Sequence, residues 1–208
     1  MKRRSLLKAG VAFAVPGVLS FGASAKPVSK AKAPKILVVY FSRPGMNYVS
    51  GDMVNLPVGN TEKFAKIIAK TLDAPLFRIE PVTPYPFDYR KTRAIAREER
   101  SAGKARDAKA IPDIRGYDVI FWGHPIWYGE MPYIVRGVLS KLDCAGKTIV
   151  PFVTHEGSGI GDTANLVRSF QKRAAVREGL GILGTRFARN EPVEPEITAW
   201  LKRLGYQK

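Results

Sequence analysis

Three stretches of this 208-residue chain are too continuously apolar to lie on a sheet with a wet face: Lys35-Ile-Leu-Val-Val-Tyr-Phe41, Val119-Ile-Phe-Trp122 and Lys147-Thr-Ile-Val-Pro-Phe-Val153. A strand that is apolar on both faces is buried on both, which is the condition of a parallel sheet covered by helices. The segments between them supply those helices. Phe64, Ile67, Ile68 and Leu72 keep helical spacing behind a cap at or near Asn60, and Tyr133, Val135, Val138, Leu139 and Leu142 form a second stripe. A polar helix over Tyr89–Ala105, a helix from Asp162 or Thr163 to near Arg177, and a closing helix over Val193–Leu204 complete the set. Leu76–Ile79 and part of Leu180–Phe187 read as shorter strands, so the order is strand–helix five times over. That alternation predicts an α/β fold with helices on both faces of a parallel sheet.

Parallel strands deliver the loops that follow them to one edge of the sheet, where open α/β folds bind ligands. Three such loops are chemically distinctive. The first, 42–61, carries Ser42, Asn47, Asn60 and Thr61 among glycines, ending at a helix N-terminus; hydroxyls and free backbone amides there can hold a phosphate without a cation, although a plain helix cap gives the same letters. Arg43 either adds a charge-assisted contact or faces solvent. The stretch 43–59 reads as a polar loop. The second loop, 123–132, offers Pro125, Ile126, Trp127, Tyr128 and Gly129: a rigid aromatic turn able to stack on a planar ring. Adjacent side chains rarely point the same way, so one of Trp127 and Tyr128 belongs to the core. The third loop, Thr154-His-Glu-Gly-Ser-Gly-Ile-Gly161, can hydrogen-bond a heteroaromatic edge; His155 and Glu156 are acid–base residues by type, or only loop polar groups.

Other patterns fail on context. Gly179-Leu-Gly-Ile-Leu-Gly184 spells a dinucleotide fingerprint, but it lies within the expected strand with no helix expected at Gly184. Gly146-Lys147-Thr148 lacks the first P-loop glycine, Ser158 lacks the first glycine of a nucleophile elbow, and the two histidines have no metal spacing. Cys144 stands alone in a polar turn and reads as a small turn residue.

The N-terminus is expected to be a targeting segment. Arg3-Arg4-Ser5-Leu6-Leu7-Lys8, a weakly apolar run to Phe21 and Ala23-Ser24-Ala25 resemble a twin-arginine export signal with an A-x-A cleavage site, the alternative being an ordinary secretory peptide with two fortuitous arginines. The expected organisation is a signal over 1–25, a short lead over 26–34 and one domain over 35–208, with a periplasmic mature protein and no stable membrane span. Of 34 basic residues four lie in 1–25, so 30 still face 18 acidic ones in the remainder. That excess suits an acidic partner, or is only a solvated surface.

Four segments carry a family resemblance: Val-Val-Tyr-Phe-Ser42 with Gly59-Asn-Thr-Glu62; Pro84-Tyr-Pro-Phe-Asp-Tyr89; Gly123-His-Pro-Ile-Trp-Tyr-Gly-Glu-Met-Pro132; and Thr154-His-Glu-Gly-Ser-Gly159. With them the chain resembles the flavodoxin superfamily, in particular a branch with an insertion after the first strand. The resemblance implies a three-layer sandwich, a five-stranded parallel sheet in the order 2-1-3-4-5, and bound FMN. It implies that Ser42, Asn60 and Thr61, with Asn47 beside them, bind the phosphate group; that Pro125, Ile126, Trp127, Tyr128 and Gly129 contact the flavin; and that Thr154, Glu156, Gly157, Ser158 and Gly159 form a second ring-edge loop. The activity it implies is electron transfer to a redox partner, the alternative being an FMN-dependent NAD(P)H:quinone-type oxidoreductase. The basic charge and the export signal depart from many acidic, cytoplasmic relatives.

Overall fold

The computed structural model describes residues 33–206; the expected export signal over 1–25 and most of the lead lie outside the described residues. The central strand β1 (Ile36–Tyr40) is flanked by β4 (Leu76–Arg78) and β5 (Val119–Pro125), and β5 by β6 (Thr148–His155). The far edge of β6 is shared by two short strands, β7 (Ala175–Val176) and β8 (Leu180–Leu183). Every pairing in this sheet is parallel. The order is therefore 2-1-3-4-5, with the fifth position divided between two strands.

Alternation along the strands explains why they are apolar throughout. Val38, Tyr40, Phe121, Val150 and Phe152 face one core, with Phe64 and Ile68 of α1 (Asn60–Leu72), Phe187 of α5 (Gly184–Ala188) and Ile197, Trp200 and Leu201 of α6 (Glu194–Arg203). Leu37, Val39, Phe41, Ile120, Trp122 and Ile149 face the other, with Ile134, Val135, Val138 and Leu139 of α3 (Tyr133–Leu139) and Val167 of α4 (Thr163–Phe170). The second face also takes α2 (Tyr89–Ala102), which buries Thr92, Ala96 and Glu99 and packs beside α3. Each fully buried aliphatic or aromatic side chain contributes roughly 1.5–3 kcal/mol, so both faces are strongly specified.

Several expectations change. The stretch 43–59 is not an open loop. It holds an antiparallel hairpin, β2 (Gly45–Val49) against β3 (Asp52–Leu56), closed by Ser50-Gly51 with φ of 50° and 106°. Positive φ at both turn residues matches the right-handed twist of a two-residue hairpin. The helix after Thr163 stops at Phe170, because the buried Gln171 leaves helical geometry; its side-chain amide donates to the carbonyls of Leu139 and Leu142 and its oxygen accepts from Cys144 N–H. Cys144 is itself a core residue rather than a turn filler, and burial pushes its thiol up to about 11. The strand from Leu180 ends at Leu183, and a single helical turn does open at Gly184. Those glycines serve close packing: a Cβ at Gly179 would stand 2.7 Å from the carbonyl oxygen of Pro151.

Candidate functional site

At the C-terminal edge of the sheet the three loops meet. Ile126 N–H donates to the carbonyl of Thr154 (2.9 Å), and the hydroxyls of Thr61 and Thr154 lie 2.7 Å apart in a buried contact. An inner cavity of about 160 Å³ gathers Ser42, Asn47, Asn60, Thr61, Pro125, Ile126, Trp127, Thr154 and Glu156 from all three loops. An adjoining outer cavity of about 490 Å³, which shares Asn47, Tyr48, Tyr89, Ile126 and Trp127 with it, is bounded also by Met53 and Tyr128. Gly129, Gly157, Ser158 and Gly159 line neither cavity.

The inner cavity sits on the N-terminus of α1. Gly59 precedes that helix without a capping side chain, and the first helical bonds run from the amides of Glu62 and Lys63 to its carbonyl. Ser42 Oγ, in the loop that follows β1, also accepts from the Glu62 amide (3.1 Å) and so caps the helix from across that loop. Among the described residues the amides of Asn60 and Thr61 have no protein acceptor, and Asn60 Oδ1 is buried without a partner. Unpaired amides at a helix N-terminus form an anion site. The approach requires glycine: a Cβ at Gly59 would lie 2.3 Å from Ser42 Oγ and 2.6 Å from the Arg43 carbonyl oxygen.

Arg43, buried at the mouth of both cavities, is neither a free cation nor solvent-facing. Its guanidinium donates to Thr92 Oγ1 (3.1 Å) and to the carbonyls of Pro44, Met46 and Phe87 at 2.7–3.2 Å. It ties the hairpin to the 81–89 connection and to α2. Asn47 likewise donates to Gly45 O within the hairpin (2.8 Å).

The aromatic loop is a tight turn. Trp127 and Glu130 exchange backbone hydrogen bonds, with Tyr128 and Gly129 at φ of 51° and 79°. Positive φ at Tyr128 is strained for an aromatic residue, and the turn is held by side chains from two helices. Glu130 takes Arg100 of α2 at 2.5 Å and Arg136 of α3. Burial works to raise its pKa, but hydrogen bonds from Arg136 and Arg100 outweigh burial and hold the carboxyl below its ordinary range. Tyr128 OH donates to the carbonyl of Arg93 (2.9 Å). Trp127 packs edge-on against Phe41 (5.5 Å between centroids) and Tyr85 (5.0 Å) while still lining both cavities. Tyr128 is the more exposed of the pair and edges only the outer cavity.

In the third loop Glu156 accepts from Thr185 Oγ1 (2.5 Å) at the start of α5 and from the Ser50 amide of the hairpin turn (3.4 Å). It latches the hairpin over the inner cavity. His155 Nδ1 accepts from the Gly157 amide (3.0 Å), and burial lowers the ring's pKa. His124 is fully buried under the aromatic turn, and desolvation holds it near 4. The His124 ring is therefore neutral near pH 7.

The wall residues Tyr48, Met53 and Tyr89 were not expected in the site. The hairpin that carries the first two leaves only a weak signal in Gly45-Met-Asn-Tyr-Val-Ser-Gly-Asp-Met-Val-Asn-Leu56, two mixed five-residue runs around a Ser-Gly turn. Tyr85, inside the quoted Pro84–Tyr89 segment, supports Trp127 from behind.

The chain matches the family model described as flavodoxin over residues 35–204. No curated protein matches it. Among solved structures it is similar to a protein of Bacteroides eggerthii provisionally named a flavoprotein, at 28% identity and TM-score 0.64, covering 83% of this chain and 98% of that one. A second, from Bacteroides uniformis and named likewise, is 24% identical with TM-score 0.60 over 80% and 99% of the two chains. A flavoprotein from Lactobacillus acidophilus, solved in complex with FMN, shares the fold at 20% identity and TM-score 0.52 over 72% and 93%.

Proposed function

Because the chain belongs to the flavodoxin family, we propose that it binds FMN in the paired cavities and acts as an electron-transfer protein of the bacterial cell envelope. One observation carries the reading: a small polar cavity on a helix N-terminus shares a wall with a larger one lined by aromatic side chains. The residues fit the group. The free amides of Asn60 and Thr61, with the Thr61 and Thr154 hydroxyls beside them, suit a phosphate, and no cationic side chain is required. Glu156 faces the same cavity as an acceptor for a sugar-chain hydroxyl. Trp127, backed by Phe41 and Tyr85, presents a fixed indole to a planar ring, and Ile126 and Pro125 offer backbone at its edge.

FMN supplies the redox chemistry when bound; the protein supplies position, exclusion of water and electrostatics. Burial lowers the pKa of both histidines, and Glu156 is engaged by Thr185 and Ser50. His155 and Glu156 share the inner cavity with Trp127, but His155 Nδ1 is taken by the Gly157 amide and Glu156 is held as above, which favours a carrier over an FMN-dependent NAD(P)H:quinone-type reductase. Visible absorption of the purified protein, before and after adding FMN, tests the cofactor: absence of a flavin band in both cases rejects the reading. Oxidation of NADH or NADPH with a quinone and no second protein then separates the two activities; sustained turnover would reject the carrier.

The proposal extends to export of the folded protein by the twin-arginine route, to removal of residues 1–25, and to a periplasmic location, supported by Arg3-Arg4 and Ala23-Ser24-Ala25. No helix among the described residues is long and apolar enough to cross a membrane. Replacing Arg3 and Arg4 by Lys should leave precursor in the cytoplasm, and unchanged export would reject the route.

A further inference from the structure

Helix α2 presents Arg90, Arg93 and Arg97 at helical spacing along one exposed face, with Ala94 and Ser101 between and beyond them. None of the three arginines has an ion-pair partner among the described residues. They line an open groove whose single acidic member is Glu98. The neighbouring cations are differently placed: Arg100 is committed to Glu130, and Arg106 to Glu99. The groove is not a remote surface feature. Tyr128 forms its wall on one side and the wall of the outer cavity on the other, and its hydroxyl is bonded to the Arg93 carbonyl. Anything seated on the three arginines therefore touches the rim of the cavity that takes the flavin.

We propose that the Arg90–Arg93–Arg97 face, with Tyr128 at its edge, is the docking surface for an acidic electron-transfer protein. The inference rests on the electron-carrier reading and adds to it the charge and place of the partner. Charge complementarity is the reason for the assignment: three unpaired guanidiniums on one helix attract carboxylates, and their planar forks bind them bidentately. Their position beside Tyr128, which lines both the groove and the outer cavity, brings the partner next to the cofactor cavity. Glu98 is the lone repulsive group in the groove.

The test is calorimetric titration of the FMN-loaded and the FMN-free protein with an acidic b-type cytochrome as probe. Binding should weaken between ~10 mM and ~100 mM salt, as the screening length falls from about 30 Å to about 10 Å. Arg93→Glu with Arg97→Glu should weaken it ~10-fold or more at low salt. Arg93→Lys with Arg97→Lys should retain most of the affinity, and Glu98→Gln should raise it. Lys70→Glu with Lys202→Glu makes the same change in net charge on α1 and α6, helices of the other sheet face, and should leave affinity unchanged. Equal weakening by the Lys70 and Lys202 variant, or no binding at low salt, would overturn the assignment. So would tighter, Arg93-dependent capture by vesicles of anionic phospholipid. An FMN absorbance titration of the same variants reads the cofactor proposal separately: docking can fail with flavin binding intact, and flavin binding can fail with docking intact.

Discussion

His124 sits where the aromatic turn leaves strand β5, and acidification measures how tightly that junction is sealed. Its ring is fully buried, Nδ1 stands 3.0 Å from the Pro125 carbonyl oxygen, and Nε2 has no partner. A donor at Nδ1 satisfies the carbonyl; a second proton on Nε2 would have no acceptor in an apolar surrounding, so burial brings the pKa from 6.5 to about 4. Below pH 6.5 the unfolded chain takes up a proton that the native protein refuses. The stability associated with the neutral ring is thus fully present above pH 6.5 and is lost as the pH falls towards 4. At 1.36 kcal/mol per unit the whole loss is about 3 kcal/mol, and about 2 kcal/mol of it is gone by pH 5, before most carboxylates titrate. Urea denaturation of the wild type and of His124→Asn at about pH 7.5 and pH 5 isolates the effect, since other titrating groups are common to both proteins. The variant should be the less stable at pH 7.5, and the gap should narrow by about 2 kcal/mol at pH 5. A gap independent of pH, or an NMR titration of the His124 ring with a midpoint near its ordinary value, would show that the ring is not sealed from solvent.

Gly59→Ala drives a methyl group into Ser42 Oγ and the Arg43 carbonyl; stability should fall by about 1–3 kcal/mol, and FMN affinity, read by fluorescence quenching, should fall with it. Trp127→Ala removes the edge contacts to Phe41 and Tyr85 as well as the ring wall; FMN affinity should drop at least ~10-fold, while Trp127→Phe should restore much of it. Arg43→Leu strips donors from the carbonyls of Pro44, Met46 and Phe87; a cost of about 2–3 kcal/mol is expected, and limited proteolysis should cut the hairpin near Ser50 faster than in the wild type.

The sheet was legible because burial on both faces leaves a continuous apolar run, and such runs mark β1, β5 and β6 with little ambiguity. The converging loops followed from parallel strands alone. What escaped the sequence depends on geometry that letters do not carry. The hairpin over 45–56 is half exposed and mixed in polarity, so its alternation was weak beside its glycines and asparagines. Arg43 reads as a surface charge, and only the fold brings three carbonyls and a threonine around its guanidinium. Gly184 opens a helix because the short strand before it ends at Leu183, a boundary that a run of apolar residues conceals. The choice between Trp127 and Tyr128 also waited for the turn: positive φ at Tyr128 sends its ring towards α2 and leaves the indole between the core and the cavities.

If the inner cavity holds a phosphate on the N-terminus of α1 while the outer one takes the ring, the phosphate must contribute to affinity. Comparing the affinities of the FMN-free protein for FMN and for riboflavin, by quenching of flavin fluorescence, tests it most directly. Two charge-assisted hydrogen bonds from the amides of Asn60 and Thr61, each at roughly 1.5–3 kcal/mol, predict FMN binding at least ~100-fold tighter than riboflavin. Equal affinities, or no binding of either, would contradict the account.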